Sequence, residues 1–216
     1  MDSSRKKIFI WGAGGQGRVV LDILRENKNF EIVGFIDSNK KLKGKIVDGV
    51  EVLGDKSVLK GLHQKGVQTG IVAIGTNTDR CEVADYLRAH KFHLVNAIHP
   101  RAFITSNVVI GSNVTITAGA IICVHTVVGD DVIINTGAIV DHHSIIGKGV
   151  HIAPGAKLAG GVEIGGKAFI GIGAVIIQYL KIGNNSIIGA GSVVLKDIPD
   201  RVVAVGVPAR VIKKIK

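Results

Sequence analysis

Between residues 104 and 194 an aliphatic side chain returns at every sixth position without a slip, from Ile104, Ile110, Ile116 and Ile122 through Val128, Ile134, Val140, Ile146 and Ile152 to Leu158, Ile164, Ile170, Ile176, Ile182, Ile188 and Val194. Twelve of these sixteen are Ile, a β-branched residue suited to a pleated, buried surface. A second apolar row stands two residues before each and is mostly small, as at Ala102, Ala120, Ala138, Ala156, Ala168 and Ala174, with Thr126 and Ser144 in the same row. Period six is neither helical nor a simple strand alternation. It is the mark of a parallel β-helix, in which three six-residue sides close one coil. Glycine often follows the aliphatic residue (Gly111, Gly129, Gly147, Gly165, Gly171, Gly183, Gly189). These glycines are expected to relieve the corners by adopting positive φ.

Residues 1–98 follow a different grammar. Predicted strands at 7–11, 32–36, 50–53, 69–74 and 93–98 alternate with predicted helices at 18–27, 57–65 and 79–90. Ser57 stands near the N-cap of the second helix. Such alternation implies an α/β unit, a parallel sheet with helices on its faces. Its length allows only about one mononucleotide-binding half of a doubly wound fold. His99-Pro100 marks the change of pattern, so the predicted domains are 1–98 and 99–216, the second ending in a short tail.

Composition sharpens this picture. The 216 residues are 46% hydrophobic but only 4% aromatic, so the core must be aliphatic, which suits closely stacked coils. No run of about 18 apolar residues occurs, so no membrane span is expected. Met1-Asp2-Ser3-Ser4 lacks the apolar stretch of a signal peptide, and a cytoplasmic location is expected. Cys81 and Cys123 are too few for a disulfide framework. The net charge of +10 favours anionic partners such as nucleotides or phosphorylated cofactors. Nucleic acid is not expected, because no basic stripe is interleaved with aromatics.

Gly12-Ala13-Gly14-Gly15-Gln16-Gly17 satisfies G-x-G-x-x-G between a predicted strand and helix, with Asp37 about 20 residues on. Glycines let backbone amides approach phosphate, and a helix N-terminus favours anions. The turn fits a nucleotide-sugar, a nicotinamide dinucleotide or a merely structural role. Gly75, at the end of another predicted strand, belongs at the same carboxyl edge, where ligands bind. Thr76 or Asn77 there is equally read as a helix cap.

Polar residues cluster in two consecutive coils: His125, Asn135, Asp141, His142, His143 and His151. His125 and His143 are eighteen apart, so they stack on one edge, and His142, two residues after Val140, faces outward. A neutral imidazole takes up a proton near pH 7. Solvated surface histidines and a zinc site from His125, His143 and His151, of the γ-carbonic anhydrase kind, are the rival readings. Cys123, one coil below Asp141, is expected to be inert.

These motifs together resemble the bacterial sugar acetyltransferases of the PglD/NeuD group, which include exopolysaccharide acetyltransferases of the EpsM type. The resemblance spans essentially the whole chain. It rests on the glycine turn, Ala73-Ile74-Gly75-Thr76-Asn77, Asn135-Thr136, Val140-Asp141-His142-His143-Ser144-Ile145-Ile146-Gly147 and the tail Val205-Gly206-Val207-Pro208-Ala209-Arg210. It implies a left-handed β-helix and a homotrimer with active sites between the columns. It also implies direct transfer of the acetyl group of acetyl-CoA to the amine of a UDP-linked amino-sugar, for polysaccharide or glycan precursor synthesis, with no metal. By motif position His142 matches the general base, with His143 and Asn135 as its polar neighbours. His151, Gly160 and Ile172 match coenzyme A contacts, and Gly14, Gly15, Gln16, Asp37, Ser38 and Gly75 match the nucleotide-sugar site. Three residues depart from the group's pattern: His143 stands where an acid is frequent, Gln16 where a His can occur, and Ser38 where a second Asp can follow the first. Arg210, Lys213, Lys214 and Lys216 are read either as partners of coenzyme A phosphates or as a solvated tail. O-acetylation of a sugar hydroxyl, a zinc lyase and a non-catalytic nucleotide-sugar binder are the alternative functions.

Overall fold

The computed structural model describes residues 5–27 and 29–216. The chain divides into two units between Ala97 and Ile98. In the first, β1 (Lys6–Trp11), α1 (Gly15–Glu26), β2 (Phe30–Ile36), β3 (Ile46–Val47), β4 (Val50–Gly54), α2 (Leu59–Gln64), β5 (Thr69–Val72), α3 (Asn77–Ala89) and β6 (His93–Leu94) follow in order. The sheet order is β3-β4-β2-β1-β5-β6, parallel except for the β3–β4 hairpin. The chain therefore reverses its direction of winding between β1 and β5, the place where open α/β sheets bind ligands. Ile8 and Ile10 pack with Val20, Leu21 and Leu24 of α1 on one face. Phe9 and Trp11 pack with Leu59 of α2 and Leu87 of α3 on the other. Because both faces are covered, β1 reads as a continuous apolar run rather than an alternation.

Element boundaries shift where local chemistry decides them. Helix α1 begins at Gly15, so the last glycines of the turn are already helical. The second predicted helix opens as a tight turn, Lys56–Val58, and Asp55 rather than Ser57 caps it, Asp55 Oδ1 accepting from the Ser57 amide at 2.9 Å. The hydrogen bonds from Ser57 hold the Asp55 carboxyl below the usual carboxylate range. The predicted strand at 93–98 is two short strands, β6 and Ala97–Ile98, and only β6 pairs with β5.

The second unit is a three-sided parallel β-helix. Two-residue strands pair with the strand one coil later: Ile121–Ile122 with Ile139–Val140, Val127–Val128 with Ile145–Ile146, and Ile133–Ile134 with His151–Ile152. They form sheets of eight, six and five strands, the eight-stranded one closed by an antiparallel hairpin, Val202–Gly206 with Ala209–Lys214. From Ile116 to Val194 the six-residue aliphatic row is buried, and the small row packs against it. Its buried hydroxyls are satisfied by corner carbonyls: Thr126 Oγ1 donates to Asp141 O at 3.2 Å and Ser186 Oγ to Pro199 O at 2.6 Å.

The corners differ from expectation. The left-handed residue is not the one after the aliphatic position but the third, recurring at every sixth residue from Asn107 to Gly191 with φ of 55–71°. The bend falls to Asn, Asp, His or Gly at most of these places, the types that tolerate this conformation. The glycines directly after the aliphatic residue meet a different demand. A Cβ on Gly165 or Gly171 would lie 2.6 Å from the amide nitrogen of Asn184 or Ala190 in the next coil, so the backbones themselves exclude a side chain.

This stacking makes each buried rung costly to hollow out. Ile152 is 0% exposed in the middle of the column. Ile152→Ala is expected to destabilise the protein by about 2–5 kcal/mol, read as a lowered midpoint in urea unfolding.

Candidate active site

The glycine turn and its neighbours form one cleft of about 410 Å³ at the carboxyl edge of β1 and β5. Gly14, Gly15, Gln16, Asp37, Ser38 and Gly75 all line it. The four glycines of the turn divide by role. A Cβ on Gly12 would meet the Ala73 carbonyl oxygen, and one on Gly17 the Gly12 carbonyl oxygen, so these two are required by packing. Gly14 and Gly15 have nothing within 4 Å of a Cβ, so they leave the cleft open. The first intrahelical bond of α1 runs from the Arg18 amide to Gly14 O, and no acidic residue sits in the first turn. The preceding amides are thus free of intrahelical partners and favour an anion. Gln16 Nε2 is buried here without a hydrogen-bond partner.

Asp37 braces this turn: its Oδ2 accepts from the Ala13 amide at 2.9 Å and its Oδ1 from the Asn39 amide at 2.8 Å. Ser38 and Gly75 are exposed. Thr76 occupies the N-cap of α3 but makes no side-chain capping bond. Arg80, missed in the sequence, instead ties down the carbonyls of the loop that leads into α3. It is 1% exposed and donates to Ile74 O at 2.9 Å, Gly75 O at 3.1 Å and Asn77 Oδ1 at 2.8 Å. Its signal was available, since Arg80 shares the helical phase of buried Ala84 and Leu87.

The column brings His125, Asp141, His142, His143, Gly160, Gly161 and Tyr179 onto one edge. His142 is exposed, and its ring lies on Gly160, where a Cβ would sit 2.6 Å from Nε2. His142 Nδ1 is 3.0 Å from His143 Nδ1, and the two rings stand nearly perpendicular, at 84°. His143 stacks on His125 with ring centroids 4.9 Å apart. Asp141 Oδ1 accepts from the His142 amide at 2.8 Å, so it fixes the backbone. Tyr179 lies over Gly161, one coil above His143.

Asn135, His151 and Ile172 are elsewhere. Asn135 follows a strand of the eight-stranded sheet, whereas His142 follows one of the six-stranded sheet, so they occupy different edges of the same column. Asn135 Nδ2 lies 3.2 Å from His151 Nε2, and the half-buried His151 ring meets Phe169 edge-on at 5.1 Å. Ile172 is 60% exposed on the Asn135 edge. Within one chain the six column residues therefore fall into two groups: His142, His143 and Gly160 on one edge, and Asn135, His151 and Ile172 on another. The three candidate zinc ligands do not converge either, because His151 is separated from His125 and His143. Among the described residues no group of three metal-ligating side chains occurs.

Burial pushes the Cys123 thiol up, and the hydrogen bond and negative charge of Asp141 add to this. A raised thiol stays protonated at neutral pH and forms thiolate only as the pH climbs. Maleimide labelling of Cys123 at pH 7 is therefore expected to run several-fold slower in the folded protein than in urea, with mass spectrometry to locate the label.

Residues 125–160 and 161–196 match the bacterial transferase hexapeptide (six repeats), and residues 7–87 match the PglD N-terminal domain. The column is a left-handed β-helix, and the protein is an acyltransferase of the hexapeptide transferase kind. PerB from Caulobacter crescentus, solved with CoA and GDP-perosamine, is 40% identical, with 96% of this chain and 97% of that one covered and a TM-score of 0.92. The acetyltransferase domain of PglB from Neisseria gonorrhoeae is 32% identical over 96% and 100% of the two chains, with a TM-score of 0.90. WeeI from Acinetobacter baumannii is 28% identical over 95% and 99%, with a TM-score of 0.85. No curated protein matches the chain. The chain belongs to the PglD-type family of sugar acetyltransferases. No helix among the described residues is long and apolar enough to cross a membrane.

Proposed function

We propose that this protein transfers the acetyl group of acetyl-CoA to the amine of a nucleoside-diphosphate-linked amino-sugar, with His142 as general base. The observation that carries this reading is the His142 imidazole itself. It is exposed, seated on a glycine, and tied at Nδ1 to His143, which leaves Nε2 for substrate. PerB was solved with CoA and GDP-perosamine, the PglB domain with acetyl-CoA, and PerB also with a single histidine replaced by Asn or Ala.

His142 Nε2 takes a proton from the amine as its nitrogen attacks the thioester carbonyl. The new C–N bond forms, the C–S bond breaks, and the departing thiolate of coenzyme A takes up the proton. A backbone amide of the column stabilises the oxyanion. The cleft around Gly14, Gly15 and Gln16 receives the diphosphate, with the amides of α1 as donors. The Asn135–His151–Ile172 edge receives acetyl-CoA. Because that edge is not the edge of His142, a neighbouring copy of the column would complete the site, in keeping with the homotrimer that the resemblance implies. It acts in the cytoplasm, where both substrates are soluble, on precursors of exopolysaccharides or other glycans.

The resemblance pointed to a uridine-linked sugar, whereas the relative at 40% identity holds GDP-perosamine. The test is release of coenzyme A thiol from acetyl-CoA across a panel of GDP- and UDP-linked 4-amino sugars, with mild base applied to each product. The reading expects thiol release and a base-stable amide with one nucleotide series. A base-labile ester would replace it with O-acetylation. Tight sugar-nucleotide binding without thiol release would make the protein a binder rather than an enzyme.

A further inference from the structure

We propose that His143 is a positioning residue: its Nδ1 accepts a hydrogen bond from His142 Nδ1–H, which holds His142 in the tautomer whose Nε2 lone pair is free for the substrate amine. This rests on the general-base reading of His142.

Two nitrogens 3.0 Å apart share one hydrogen, because two N–H groups would collide and two lone pairs would repel. If His142 Nδ1 holds it, His143 Nδ1 accepts and His142 Nε2 keeps its lone pair for the amine. If His143 Nδ1 holds it, neutral His142 must carry its own hydrogen on Nε2, where it accepts nothing. The surroundings hold the His143 ring in place. Its backbone is held at φ +58° by the corner, its amide donates to Val124 O at 3.0 Å, and its ring rests on His125. The ionisable neighbours on this edge are His125 and Cys123 in the coil below, Asp141 in the same coil, and Tyr179 above Gly161. Asp141 spends Oδ1 on the His142 amide and meets the Cys123 thiol.

Asp141 bonds the His142 backbone amide, whereas a carboxylate in place of His143, against Nδ1, would draw a proton onto the His142 ring. Uptake of one proton by the pair ends activity wherever it lands. On His142 it occupies Nε2. On His143 it leaves both ring nitrogens as donors and drives the His142 hydrogen to Nε2.

The experiment has two readouts. In ¹⁵N-histidine spectra of the resting full-length protein above the acid limb, His142 is expected to show an N–H-type Nδ1 and an unprotonated Nε2. His143→Ala is expected to shift His142 toward the Nε2–H form. In pH profiles of kcat/KM, His143→Glu is expected to move the acid limb up by roughly 1 pH unit, the size of effect an adjacent opposite charge has on a titrating group. His143→Asn, whose side-chain oxygen also accepts, is expected to keep His142 in the Nδ1–H form. A wild-type His142 with its hydrogen on Nε2, or a His143→Glu limb that coincides with wild type, would overturn the proposal. Full activity of a His142→Ala variant, with the tautomer as stated, would instead remove the general-base reading and leave the geometric one standing.

Discussion

Replacing His142 with alanine is expected to lower kcat/KM by about 10²–10⁴-fold, the range that general-base catalysis supplies, while the column stays folded. The fold is spared because His142 is exposed at a corner and contributes nothing to the two buried rows. The ring rests on Gly160 and His143, and Ala retains the backbone bond in which the Gly161 amide donates to His142 O at 2.8 Å. Circular dichroism and the unfolding midpoint are therefore expected to match wild type while thiol release collapses. Undiminished turnover in a folded variant would show that another group accepts the proton.

Gly160→Ala is the second substitution with a large expected effect, and it approaches the same imidazole from the next coil. The added methyl would overlap the His142 ring, whose Cε1 and Nε2 are the nearest atoms. The ring is the part able to move, since Gly160 O accepts from the Tyr179 amide at 3.1 Å and holds the coil in place. Displacing a catalytic nitrogen by about 1 Å costs on the order of 10²-fold. The loss is expected in kcat, with the unfolding midpoint nearly unchanged. The sequence resemblance gave Gly160 to coenzyme A, and the geometry adds a seat for the base. If Gly160→Ala raised only the KM for acetyl-CoA and left kcat alone, the seat would be unimportant.

The column was legible because its period is imposed by backbone geometry: each aliphatic residue from Ile116 to Val194 is buried where the spacing put it. The stacking of His125 on His143 followed from the same arithmetic. That arithmetic also contained the separation of Asn135 from His142. Seven residues are one side of the coil plus one, which carries Asn135 to the previous edge, but motif matching takes no account of three-fold phase. The corners misled because glycine serves two needs, close backbone approach at Gly165 and positive φ at Gly161, and composition does not distinguish them. The His142–His143 bond depends on rotamers, which spacing does not specify. In the first unit all six residues assigned to the nucleotide-sugar site line one cleft. Arg80 was passed over because a charged side chain in an amphipathic helix is ordinarily solvated, and here the carbonyls of Ile74 and Gly75 replace water.

The seating of His142 on Gly160 has a bearing on how such a gene can change length. The two lie eighteen residues apart, one full circuit of the prism. Losing or gaining a single six-residue side between them would deliver the imidazole to a stranger's wall, with no bare α-carbon against it. Gaining a whole circuit elsewhere would leave every vertical neighbour in register. Inserting or deleting one side between His142 and Gly160 is therefore expected to unseat the imidazole even when the hydrophobic rows survive it, whereas a complete added turn elsewhere is expected to leave it seated.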